Sequence, residues 1–111
     1  MIKGPAIKLT IYIDETDKLH GKPVYEALLD LFFRKKLAGA SVFRGVAGFG
    51  SRGKVHTAKI LELSTDLPVR VEVVDTREMI ESILPDVTAL VQKGLIEVSE
   101  TQVIKCGGRT E

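Results

Sequence analysis

The sequence predicts an α+β fold, an antiparallel sheet with two helices on one of its faces. Three observations lead there: apolar residues alternate at period two over residues 6–13 and 69–74, apolar stripes of helical period follow Pro23 and Thr76, and the elements run strand, helix, strand, loop, strand, helix, strand. That order suits the split βαβ arrangement, in which both helices cover the same side of the sheet. At 111 residues, 44% hydrophobic and 28% charged, the chain is expected to form one domain over residues 1–111 with a modest core.

AIKLTIYI at 6–13 sets Ile7, Leu9, Ile11 and Ile13 on one side and Lys8, Thr10 and Tyr12 on the other, which predicts the first strand. After the polar DETDKLHGK, Pro23 opens a helix, because the first turn tolerates a missing N–H. Val24, Leu28, Leu31, Phe32 and Phe33 form its apolar stripe. Arg34, Lys35 and Lys36 suit its negative pole, and Gly39 is expected to end it. ASVFRGV at 40–46 predicts the second strand, a glycine loop then runs to Val55, and TAKILEL predicts the third. VRVEVV at 69–74 continues that strand after a bend or forms another. Thr76 predicts an N-cap, with Met79, Ile80, Ile83, Leu84, Val87, Leu90 and Val91 as the stripe of a second helix ending at Gly94. Pro85 inside it predicts a kink or break near Leu84. LIEVSETQVIK supplies one or two closing strands. With no third helix, the second sheet face needs a cover, and oligomerisation is expected to provide it.

The single Cys106 excludes an internal disulfide, and no apolar run is long enough to cross a bilayer or act as a secretory signal, so a cytoplasmic protein without membrane insertion is expected. A net charge of +1 disfavours nucleic acid as a partner, since duplex binding needs a basic face over many phosphates. Charge is nonetheless uneven. No Asp or Glu occurs between Asp30 and Glu62, and within that stretch RGVAGFGSRGKVHT at 44–57 combines glycines with Arg44, Arg52, Lys54 and His56. Glycine lets the backbone turn its N–H groups toward an anion, and the basic side chains supply the charge a phosphate needs.

Two phosphate-binding motifs match this loop by letter and fail by context. Gly48 to Gly53 satisfies GxGxxG, but a dinucleotide fold sets that motif between a strand and a helix, whereas TAKILEL has the pattern of a strand. Gly48 to Lys54 satisfies GxxxxGK, yet Val55 stands where Ser or Thr would hold magnesium. A mobile turn with solvated charges is the simpler alternative, although about ten residues exceed what a hairpin requires.

GFGSRGKVHT, a following strand, and DLPVRVEVVD leading into a helix resemble the PII signal-transduction proteins and their PII-like relatives. RGVAGFG with HT and DLPV more closely resembles a small prokaryotic PII-like family of unknown function. The resemblance extends from the first strand to VIK at 103–105 and implies a ferredoxin-like βαββαβ subunit in a homotrimer. It also implies an adenine nucleotide (ADP, AMP or ATP) in the clefts between subunits, with no tightly bound cofactor. In such proteins the loop after the second strand lines the cleft and reaches a regulated partner, such as a transporter or an enzyme. Carried over, the nucleotide site comprises Arg44, Gly45, Gly48, Phe49, Gly50, Arg52, Lys54 and His56 of the loop and Lys105 of the last strand.

Departures narrow the implication. PII proteins carry a second glycine-rich phosphate loop before the last strand, where this chain has only QKGLIEV, with Lys93 and Gly94 as the remnant. A shorter phosphate chain than that of ATP is then easier to accommodate. The loop is also shorter than in PII proteins and has no tyrosine, so control by uridylylation is not expected. Arg109 in the tail could replace a lost phosphate contact.

Remaining chemistry is sparse. His56 has no identified acid–base partner, and no catalytic residue is expected; the alternative is a small oligomeric enzyme using His56 on a phosphorylated compound. A further alternative is an interaction module whose loop binds protein alone. Two histidines and one cysteine do not reach a zinc-site spacing, and no metal is expected. Asp14, Glu15 and Asp17 could invite a hard cation but suit a solvated turn, and His20 before Gly21 suits a turn.

Overall fold

The computed structural model of the chain describes residues 2–49, 55–56 and 67–107. The strand expected at 57–63 lies outside the described residues, as do Gly50, Arg52, Lys54 and Arg109. The described elements are β1 (Gly4–Asp14), β2 (Lys18–Leu19), β3 (Lys22–Pro23), α1 (Val24–Arg34), β4 (Ala40–Arg44), β5 (Gly48–Phe49), β6 (Val55–His56), β7 (Pro68–Asp75), α2 (Arg77–Leu90) and β8 (Leu95–Val103). Four strands form the main sheet in the order β4-β7-β1-β8, every neighbouring pair antiparallel. This is the expected split βαβ topology.

The two helices share one sheet face. Leu9, Ile11 and Ile13 of β1 and Val69, Val71 and Val73 of β7 are buried in one cluster with Val24, Leu28, Leu31 and Phe32 of α1 and Ile80, Ile83 and Val87 of α2. The period-two positions chosen from the sequence are therefore the core. The opposite face is less apolar than expected: Lys8, Thr10, Arg70, Glu72 and Ser41 share it with Tyr12, Phe43 and Leu95. Arg70 of β7 lies 4.6 Å above the ring of Phe43, its cross-strand partner on β4, and its Nε forms an ion pair at 3.1 Å with Glu72 Oε2 on the same strand, so part of this face is covered within the chain.

Helix ends differ from expectation in instructive ways. The α1 helix stops at Arg34, well before Gly39, and Phe33 at 85% exposure lies outside its buried stripe. Leu37 N–H donates to Phe32 O (3.0 Å) and Lys36 N–H to Phe33 O (3.1 Å), the Schellman pattern, with Lys36 at φ 63° in the left-handed position that glycine usually takes. Burial of Leu37 against Phe32 supplies the accompanying apolar contact. In α2, Thr76 Oγ1 accepts from Met79 N–H (3.2 Å), the expected N-cap. The helix continues through Pro85 without the expected break. Pro85 faces outward, so the Glu81 carbonyl that loses its N–H partner, on an equally exposed residue, meets solvent. The helix ends at Leu90 rather than at Gly94. His20 and Gly21, at φ 55° and 79°, form the two-residue turn between β2 and β3, as expected for turn residues.

Candidate functional site

One end of the sheet gathers the base of the glycine loop. Asp14 at the end of β1 pairs with Pro68 at the start of β7, Arg44 at the end of β4 pairs with Val69, and Leu95 at the start of β8 pairs with Tyr12. Antiparallel register thus brings Asp14–Asp17, Arg44–Phe49, Leu67–Pro68 and Gln92–Gly94 to the same end.

The loop base is built on Pro68. Gly45 N–H donates to Pro68 O at 2.7 Å, and a Cβ on Gly45 would stand 2.7 Å from Pro68 Cγ. A Cβ on Gly48 would stand 3.3 Å from the same atom. Close backbone approach therefore requires Gly45 to be glycine, which links two segments, RGVAG and DLPV, that are far apart in sequence. Beyond Gly45 the chain forms a short ladder in which Gly48 pairs with His56 and Phe49 with Val55. Residues 48–49 and 55–56 are thus the stem of the loop, where the sequence reading placed only irregular backbone.

Arg44 is not a bare charge. Its Nη2 pairs with Glu15 Oε2, and Glu15 N–H donates to Leu67 O at 2.8 Å, so the turn after β1 is tied to the loop base twice. The Arg44 side chain remains 63% exposed, whereas the Glu15 side chain is only 15% exposed and its Oε1 is buried without a hydrogen-bond partner among the described residues. Sequence reading weighed Glu15 only within an acidic cluster, because nothing along the chain shows that β7 brings the ends of β1 and β4 together. The neighbouring carboxylates serve the turn itself: Asp14 Oδ1 accepts from Thr16 N–H (3.0 Å) and Thr16 Oγ1 (2.9 Å), and Asp17 Oδ2 accepts from Asp14 N–H (3.2 Å).

Gly94 is also held by geometry. A Cβ there would stand 2.4 Å from Tyr12 O, so this glycine lets the α2–β8 connection cross β1. Between that connection and the turn after β1 opens a cleft of about 310 Å³, lined by Thr16, Asp17, Lys18, Leu19, Val24, Leu90, Gln92 and Lys93. No sequence motif marks it; the lining is mostly polar and includes two lysines, Lys18 and Lys93.

Among the expected site residues, Arg44, Gly45, Gly48, Phe49 and His56 come together at the loop base. Gly50, Arg52 and Lys54 lie outside the described residues. Lys105 does not join them. It follows β8, whose end pairs with Gly4 at the opposite end of β1, and the 11 residues of β1 separate the two ends by roughly 30 Å.

The family model described as "Uncharacterized ACR" (DUF190) matches residues 6–103. The chain belongs to this family. It is 37% identical over 106 residues to a UPF0166 protein of Methanocaldococcus jannaschii, covering 95% of each chain, and 35% identical over 96 residues to one of Aquifex aeolicus, covering 86% of this chain and 90% of that one. Its fold is PII-like. CPII of Thiomonas intermedia K12, a nitrogen regulatory PII-like protein solved with ADP, AMP and bicarbonate, superposes with a TM-score of 0.70 at 20% identity, covering 91% of this chain and 90% of CPII. CutA1 of Oryza sativa is more distant, with a TM-score of 0.52 at 19% identity and coverage of 96% and 85%. The family match spans both the RGVAG–DLPV contact and the stem above it, so the geometry of the loop base belongs to the matched region.

Proposed function

We propose that this DUF190 protein is a non-enzymatic regulator that binds an adenine nucleotide between neighbouring subunits of a homotrimer and signals to a partner protein through the glycine loop. The observation that carries this reading is the loop base: Gly45 anchored on Pro68, with a paired stem above it leading into the segment that holds Arg52 and Lys54. One short basic loop, rather than a broad basic face, suits a small phosphorylated ligand. The position of Lys105 at the far end of the sheet supports a shared site, because within one subunit it is remote from the loop base. CPII, solved with ADP and AMP, has the same fold, which adds support for a nucleotide of this class.

In this reading Arg52, Lys54 and Lys105 offset phosphate charge, Gly48 and Gly50 offer backbone N–H groups, and Phe49 gives apolar contact to the base. Ligand binding favours one loop state and so changes the fit to the partner, a transporter or an enzyme. Calorimetry with ATP, ADP and AMP on the purified chain tests it. Saturable binding of at least one, lost when Arg52 and Lys54 are both replaced by Ala, is the expected result. Absence of heat with all three refutes it, and phosphate release that disappears in His56→Ala points to the enzyme instead.

A further inference from the structure

Of the basic residues assigned to the loop, Arg44 has a described carboxylate partner, Glu15, and the form of that pair has a consequence. Arg–carboxylate pairs are strongest when both oxygens accept from the guanidinium fork. Glu15 engages Arg44 through Oε2, while Oε1 is buried and receives no hydrogen bond among the described residues. A carboxylate oxygen kept from water without a donor raises the free energy of the paired state, whereas a Glu15 released into solvent hydrates both oxygens. The Arg44 side chain is mostly exposed, so an incoming anion can approach it.

We propose that Glu15 is an internal competitor for Arg44, a carboxylate held where an anionic group of the ligand will bind and displaced by it. This deepens the reading of the loop base as a nucleotide site and rests on it for the identity of the ligand, though not for the competition itself. Displacement also has a structural effect. Glu15 belongs to the turn that continues into Thr16–Leu19, one wall of the cleft beside α2, so losing the Arg44 contact removes one of the two ties between that wall and the loop base.

Calorimetry with two probes, inorganic pyrophosphate and ADP, on the full chain tests the competition. Glu15→Gln removes the competing charge and is expected to tighten pyrophosphate about two- to fivefold, the range of a partly exposed ion pair. Glu15→Asp keeps the charge but shortens the reach to Arg44, and a smaller gain is expected. In an Arg44→Ala background Glu15→Gln is expected to change nothing. Unchanged or weaker binding in folded Glu15→Gln, or an equal gain without Arg44, overturns the proposal, the latter by showing a general charge effect. Thermal melts establish that each variant is folded, and Glu15→Asp provides the reading if Glu15→Gln is not. If pyrophosphate obeys this pattern and none of ATP, ADP and AMP binds, the competition stands and the nucleotide reading falls. If the wild-type chain binds neither pyrophosphate nor any of the three nucleotides, both fall.

Discussion

Three residues show how a single side chain, or its absence, shapes this molecule. Gly94, at φ 143°, stands where a Cβ would meet the Tyr12 carbonyl oxygen at 2.4 Å and the buried Ile13 and Val91 side chains at 3.0 and 3.3 Å, which leaves little room to relax. Gly45 faces Pro68 Cγ at 2.7 Å, a ring atom that substitution can remove. We therefore expect Gly94→Ala to destabilise by about 2 kcal/mol or more in urea unfolding, and Gly45→Ala by about 1–3 kcal/mol, with part of the second cost relieved in a Pro68→Ala background. Lys36 presents the opposite case, a side chain in a position that favours glycine. Lys36→Gly should stabilise the chain by about 1 kcal/mol, visible as a raised melting temperature, provided that the Schellman bonds to Phe32 and Phe33 persist.

At the scale of elements, the junction between β7 and α2 holds several pieces in place. Asp75 is buried; its Oδ2 accepts from Ala38 N–H (2.8 Å) on the α1–β4 turn and its Oδ1 from Thr76 N–H (2.7 Å) at the start of α2. Thr76 then caps the helix through Met79. Thr76→Ala should cost about 1 kcal/mol, the usual worth of a cap. Asp75→Ala should cost about 2 kcal/mol, because it removes the acceptor from two backbone donors in a buried site. Chemical denaturation of both variants checks the order. Thr76 was legible as an N-cap from its place before an apolar stripe. The bond that Asp75 accepts from Ala38 was not legible, since it depends on packing two elements 37 residues apart.

For the whole molecule, the decisive fact is that the loop base and Lys105 occupy opposite ends of β1. A site using both must be assembled from two subunits, which makes a prediction about mixtures. A variant lacking Arg52 and Lys54 and a variant lacking Lys105 should each bind ADP poorly. When refolded together in equal amounts they should regain about one intact site in four, because each site takes its loop from one subunit and its lysine from the next. Calorimetric stoichiometry of the mixture measures this, and recovery no greater than the sum of the separate variants contradicts a shared site. Light scattering of the wild-type chain should give three times the mass of one subunit.

The sequence by itself determined the identity of the core and the order of its elements. Alternation at Leu9, Ile11 and Ile13 and at Val69, Val71 and Val73 leaves only one face for the helices to cover, and the sheet has that face. It also determined that a basic glycine loop follows the second main strand. Tertiary structure alone decided why Gly45 and Pro68 belong together, where α1 stops, that Arg44 faces Glu15, and that Lys105 is remote from the loop base within one subunit. These depend on strand register and on contacts between distant segments. A linear pattern records which face a residue takes, but not which residue stands across from it.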